Sequence, residues 1–173
     1  THRAVDTVTE RLARWEPSLR LALALEGVEP PPLRIIRLDP RDDCDLEGPI
    51  ALSPVPSTVG ASTDLICDDE AITVICGTTN ALLKLEEKLG RRTSIDAKLL
   101  VVDEASMMVF PHMLSIATLT DGQPKILVAG DNRQLAPILA HGWDKEDRPP
   151  TVRFQPFLSS YEVVALVNEA IRG

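Results

Sequence analysis

Two apolar runs that end abruptly in acid constrain this chain more than any other feature: LLVVDEAS at Leu99–Ser106 and ILVAGDNRQLAP at Ile126–Pro137. Each run is shorter than a typical helix and suits a buried strand. Each then gives way at once to charged and polar residues. In a parallel α/β sheet, ligands bind beyond the carboxyl ends of the strands. Asp103, Glu104, Asp131 and Gln134 are therefore expected along one sheet edge.

The length of 173 residues suits one domain with a substantial core. Aromatic residues are only 3% of the chain, so Leu, Val, Ile and Ala must fill the interior. A net charge of −8 argues against a broad basic face, so contact with nucleic acid would be local, through backbone amides and a few side chains. Cys44, Cys67 and Cys76 form no CxxC pair and no metal-like cluster. Cys76 reads as a small buried hydrophobe, and a reducing cytoplasmic compartment is the simplest expectation. No run approaches the ~18–20 apolar residues of a membrane span. The opening Thr-His-Arg leads us to expect a segment of a longer protein.

Along the chain, Val5, Val8, Leu12 and Trp15 fall at helical spacing, which predicts a helix over Thr1–Trp15 with Trp15 in the core. Pro17 should break it, leaving a second short helix over Ser18–Leu25. Leu33–Leu38 and Ala71–Gly77 read as strands. Between them, residues 39–62 form a proline-rich loop. Thr78–Leu89 reads as a helix, with Leu82, Leu85 and Leu89 as its stripe. Lys98–Asp103 and Lys125–Gly130 are further strands, joined by a helix over Val109–Leu119 whose Val109, Met113, Ile116 and Leu119 face the sheet. After a charged loop at 141–150, Val152–Phe154 suits a short strand. Ser159-Ser160-Tyr161-Glu162 has capping-box spacing, opening a terminal helix over 159–172. Alternating strands and helices imply an α/β fold: a parallel sheet with flanking helices in a single domain.

The strand-end residues have specific chemical uses. A carboxylate just past a buried strand, such as Asp103, can hold Mg²⁺, which bridges triphosphate oxygens and offsets developing charge. The adjacent Glu104 can polarise an attacking water. Gly130 permits a tight exit from its strand. Gln134, an amide that both donates and accepts, can bond a γ-phosphate oxygen or that water. Against this stands a plain polar turn, since Gly-Asp-Asn is turn chemistry. His112 suits packing better than catalysis, and His141 suits solvent. Trp143 is open between base stacking and burial.

DEAS followed by GDNRQLAP resembles motifs II and III of superfamily 1 helicases, and most closely the 5′-to-3′ class that includes the nonsense-mediated-decay and DNA-replication-repair helicases. Thr1-His2-Arg3-Ala4-Val5-Asp6 resembles the tail of motif Ia. Cys76-Gly77-Thr78-Thr79 resembles the strand-end threonine pair of the next nucleic-acid-contacting motif. The resemblance runs in order from Thr1 to about Pro137 and implies a partial RecA-like P-loop NTPase domain. It implies ATP and Mg²⁺ as ligands of the full-length protein, with Asp103 on the metal and Glu104 as catalytic base. Gln134, with Asp131 nearby, would couple the γ-phosphate to the strand-binding surface. Thr1, His2, Arg3, Thr78, Thr79 and Asn80 would touch single-stranded DNA or RNA, through short hydroxyls and helix-start amides. For Thr78 and Thr79, helix capping is the competing role. A second RecA-like domain is the implied partner within the same protein, and no membrane is implied.

Departures from the family pattern matter equally. The phosphate cradle G-x-x-x-x-G-K-[ST] does not occur in these residues, and Met107 stands where the family often has Gln. As given, the chain is expected to be inactive alone. One alternative is a non-catalytic P-loop-like module for binding or interaction. Another is a metal-dependent phosphoesterase, from the GD motif after a strand, although its companion histidine motifs are missing.

Overall fold

The computed structural model describes residues 1–46, 48–55, 70–89, 95, 97–131, 133, 137, 147–148, 155 and 157–173. The expectations for Cys67, Gln134, His141, Trp143 and a strand at Val152–Phe154 lie outside these residues. The chain forms two compact units, Thr1–Ile95 and Asp96–Gly173. Both are α/β with parallel strands, as the alternation of patterns predicts.

In the first unit, helix α1 (His2–Leu25) begins with Thr1, whose Oγ1 accepts the Ala4 N–H at 3.3 Å. It runs unbroken through Pro17, so the predicted break does not occur. Proline removes one intrahelical hydrogen bond and strains the preceding turn. Here the next turn is fastened from outside. Arg20 Nε donates to Glu16 at 2.8 Å, and its guanidinium also donates to the Pro30 and Pro31 carbonyls at 3.1 and 3.4 Å. Gly27, at φ +74°, turns the chain toward the first strand, a conformation glycine adopts without strain.

The sheet of this unit has the order β2-β1-β3, all parallel: β1 Leu33–Leu38, β2 Ile50–Ser53 and β3 Ile72–Cys76. Strand β2 lies inside the stretch predicted as loop. Its four residues, IALS, are too short to show a period between the prolines. Ile35, Ile36 and Leu38 of β1 are buried, as expected of a central strand. The side of α1 that is buried carries Thr9 and Ala13, not the predicted apolar stripe. Thr9 turns its hydroxyl onto the Val5 carbonyl at 2.7 Å, which lets a polar residue be buried there. Trp15 is 73% exposed and is not a core residue. Helix α2 (Thr79–Leu89) follows β3 and buries Ala81, Leu85 and Leu89.

In the second unit, β4 (Ala97–Val102) pairs in parallel with β5 (Thr120–Val128). Strand β5 starts earlier than predicted, because the pairing slips between Ala97↔Thr120 and Leu99↔Lys125. Pro124 lies in that slip, where a strand tolerates a residue without an N–H. A 3-10 turn (Ala105–Met107) leads from β4 into α3 (Phe110–Ala117), whose Met113 and Ile116 are buried, as is Leu119 just beyond it. Exposed His112 takes no part in that packing. Helix α4 (Ser160–Arg172) closes the unit, and its predicted capping box is present: Glu162 N–H donates to Ser159 Oγ while Ser159 N–H donates to the Glu162 carboxylate. The core of this unit is Val102, Ala105 and Met113, with Leu100, Phe110, Val128, Tyr161 and Val164 packed around them.

Candidate functional site

The ends of β4 and β5 build the site. Val102 pairs with Val128, so the two chains leave the sheet side by side. Three hydrogen bonds then keep them together past the last strand residues. Ala129 N–H donates to Val102 O at 2.8 Å, Ala105 N–H to Ala129 O at 2.9 Å, and Asp131 N–H to Ser106 Oγ at 3.3 Å. The structure thus brings the DEAS segment and Gly130–Asp131 together at the sheet edge. Gln134 lies outside the described residues.

Asp103 and Glu104 are both exposed. Asp103 Oδ1 accepts the Glu104 N–H at 2.9 Å. Glu104 takes left-handed backbone angles, φ 54° and ψ 38°, which a side chain other than Gly or Asn adopts at a cost of order 1–3 kcal/mol. Among the described residues its carboxylate makes no hydrogen bond or ion pair. Asp131 is exposed, and its Oδ1 accepts the Arg133 N–H at 2.9 Å, an Asx turn that shapes the loop.

Gly130 behaves differently from the expectation of special backbone freedom. Its φ is not positive; what it supplies is space. A Cβ there would lie 3.0 Å from Ser106 N, 3.0 Å from Tyr161 Cδ2 and 3.3 Å from Ser106 Oγ. Ser106 and Tyr161 were not singled out from sequence. Tyr161 is the chain's one tyrosine, but it sits outside both motifs.

The first unit gathers the other predicted residues at the carboxyl end of its sheet. Arg37, fully buried, pairs with Asp6 at 2.6 Å, donates to the Leu38 carbonyl at 2.7 Å and lies 3.2 Å from His2 Nδ1. Arg37 is in register with Cys76 of β3, and Thr78 follows two residues later. Thr78 Oγ1 accepts the Ala81 N–H at 3.2 Å, the capping role weighed for it, and Thr1 caps α1. Thr79 is half-buried, while Arg3 and Asn80 are exposed. Burial pushes the Cys76 thiol up, against the opposing pull of a Thr9 hydrogen bond and the Arg37 charge. Cys44 is also pushed up, by burial and by the neighbouring Asp6 carboxylate.

No group of three His, Cys, Asp or Glu able to hold a metal occurs among the described residues. Among the described residues the site thus shows no closed protein cage for a metal. Mg²⁺ does not need one, because it binds through one or two carboxylates plus waters and phosphate oxygens. A carboxylate has about four acceptor positions, and Asp103 commits one to Glu104. Asp103 therefore keeps acceptor positions open toward solvent, the chemistry that a hard cation such as Mg²⁺ requires.

Among the described residues, no helix is long and apolar enough to cross a membrane. Neither the curated proteins nor the solved structures contain a match to this chain. The model of one protein family, described as AAA domain, matches residues 59–147, just over half of the chain and both strand-end segments of the site. The chain therefore belongs to the AAA domain family, a family of P-loop NTPases.

Proposed function

We propose that this chain is part of the ATP-hydrolysing motor of a superfamily 1 helicase-like protein that works on single-stranded DNA or RNA in a reducing cytoplasm. The observation that carries the reading is the pair of exposed carboxylates, Asp103 and Glu104, at a strand end tied by hydrogen bonds to Ala129 and Asp131 of the neighbouring strand end. A polar turn would account for acid at either strand end alone. It gives no reason for a glutamate to be held in left-handed backbone with its carboxylate unpaired among the described residues.

In this reading Asp103 holds Mg²⁺, which when bound neutralises charge on the phosphate oxygens. Glu104 orients the attacking water and takes its proton. Asp131, with its Asx turn to Arg133, stands on the γ-phosphate side, and Gln134 senses the γ-phosphate. Thr1, His2, Arg3, Thr78, Thr79 and Asn80 form the strand-contacting side, together with helix-start amides. A phosphate cradle and a second RecA-like domain must come from elsewhere in the protein. The test is Glu104→Gln in the intact protein: ATP turnover stimulated by single strands should fall by about 10²-fold or more while ATP binding persists. Unchanged turnover would remove Glu104 as the base. Nucleotide binding without turnover in the wild-type protein would instead favour a non-catalytic binding module.

A further inference from the structure

Helix α4 carries no helicase-like motif, yet it is stitched to the candidate site. Ser160 donates twice to the Met108 carbonyl, from its N–H at 2.7 Å and its hydroxyl at 3.0 Å. Phe110 N–H donates to Leu158 O at 3.1 Å, and Val109 bridges Ser159. These bonds fix the start of α4 onto the segment that leaves the DEAS turn. From there the ring of Tyr161 reaches the other loop, where its Cδ2 stands against Gly130 so closely that a Cβ would come within 3.0 Å. Ser106, from the DEAS turn, closes the third side: its backbone N meets Gly130 and its hydroxyl accepts the Asp131 N–H.

We propose that Tyr161, with Ser106 and Gly130, forms a latch that sets the register between the Asp103–Glu104 loop and the Asp131 loop. Tyr161 is thus a positioning residue of the motor, a role that rests on the proposed ATPase reading. The bond from Asp131 to Ser106 is long, at 3.3 Å, and Ala129, Gly130 and Asp131 are exposed, so hydrogen bonding past Ala129 holds the second loop only weakly against the buried Ala105–Ser106 turn. The Tyr161 ring is anchored to the core cluster by its own packing. Pressed on Gly130, it removes that freedom. The contact is made by the ring edge and not by the hydroxyl, so phenylalanine should replace tyrosine and alanine should not.

The experiment compares Tyr161→Phe, Tyr161→Ala and Gly130→Ala in the intact protein, by amide hydrogen exchange and by ATPase kinetics. Tyr161→Ala should speed exchange at Ala105 and Asp131 by about tenfold or more relative to the β4 amides. It should lower kcat by about 10- to 100-fold with KM for ATP unchanged, because misplaced groups cost turnover and not ground-state binding. Gly130→Ala, which crowds the latch without opening the core, should give the same split. Tyr161→Phe should match wild type in both measurements. Wild-type exchange in Tyr161→Ala, loosened amides with wild-type kcat, or a Tyr161→Phe as impaired as Tyr161→Ala would each overturn the latch. A wild-type protein without ATP turnover would overturn the motor reading instead, and the exchange comparison would still decide whether the latch exists.

Discussion

Both units pass from strand to loop through an acidic residue in left-handed backbone, and they treat it in opposite ways. In the first unit Asp39, at φ 52°, follows β1; its N–H donates to Ser53 O at 2.7 Å and its carboxylate pairs with Lys84 at 3.1 Å. Its neighbour Arg37 is buried and paired with Asp6. In the second unit Glu104, at φ 54°, follows β4 with an exposed carboxylate and no described partner. On the proposed motor reading, the difference separates charge that serves the fold from charge held for a ligand. A buried charge must be paired, whereas the exposed Glu104 carries backbone strain with no described partner to offset it.

Substitutions can break this contrast. The largest effect on turnover is expected at Glu104→Gln, measured by ATP hydrolysis, with unfolding by denaturant unchanged within about 0.5 kcal/mol, as for other surface positions. The largest effect on stability is expected at Asp6→Ala, which strands the buried Arg37: about 3 kcal/mol or more of unfolding free energy should be lost. An Asp6→Ala protein as stable as wild type would show that His2 and the Leu38 carbonyl suffice for the guanidinium. Glu104→Gly should sharpen the comparison further, removing activity while raising stability by about 1 kcal/mol as the left-handed strain is relieved. Asp39→Gly should gain less, because the Lys84 pair is lost with the strain. Ser159→Ala should cost about 1 kcal/mol through the lost cap, read by chemical denaturation. The smallest effect is alkaline. Burial raises the Cys76 thiol in the folded state, so the neutral thiol is favoured there and its stabilisation is present at neutral pH. It should fade as pH rises past the ordinary cysteine value of about 8.5. Comparing unfolding of wild type and Cys76→Ala from pH 7 to 10 isolates this contribution.

The strands β1, β3, β4 and β5, the helices around them and the capping box of α4 were legible because each writes a local signal: an apolar run, a period or a cap at fixed spacing. The carboxylate pair at the end of β4 was legible for the same reason. Strand β2 was not, since four residues between prolines carry no period. Continuity through Pro17 was not either, because Arg20 secures it through carbonyls ten and eleven residues away. The inner face of α1 misled because Thr9 satisfies its own hydroxyl, whereas the apolar Trp15 stays in solvent.

By itself, then, the sequence determined where four of the strands lie, to within one or two residues at their carboxyl ends, and that acid follows β4 and β5, since composition and spacing decide strand against helix locally. Only the tertiary structure decided which charges are spent on the fold. Arg37 and Asp6 lie thirty-one positions apart and pair across α1 and β1. Ser106, Gly130 and Tyr161 come from three separate segments and meet at one point, where a Cβ on residue 130 would stand 3.0 Å from both neighbours. Pairing and close approach depend on distances that only the packed chain sets.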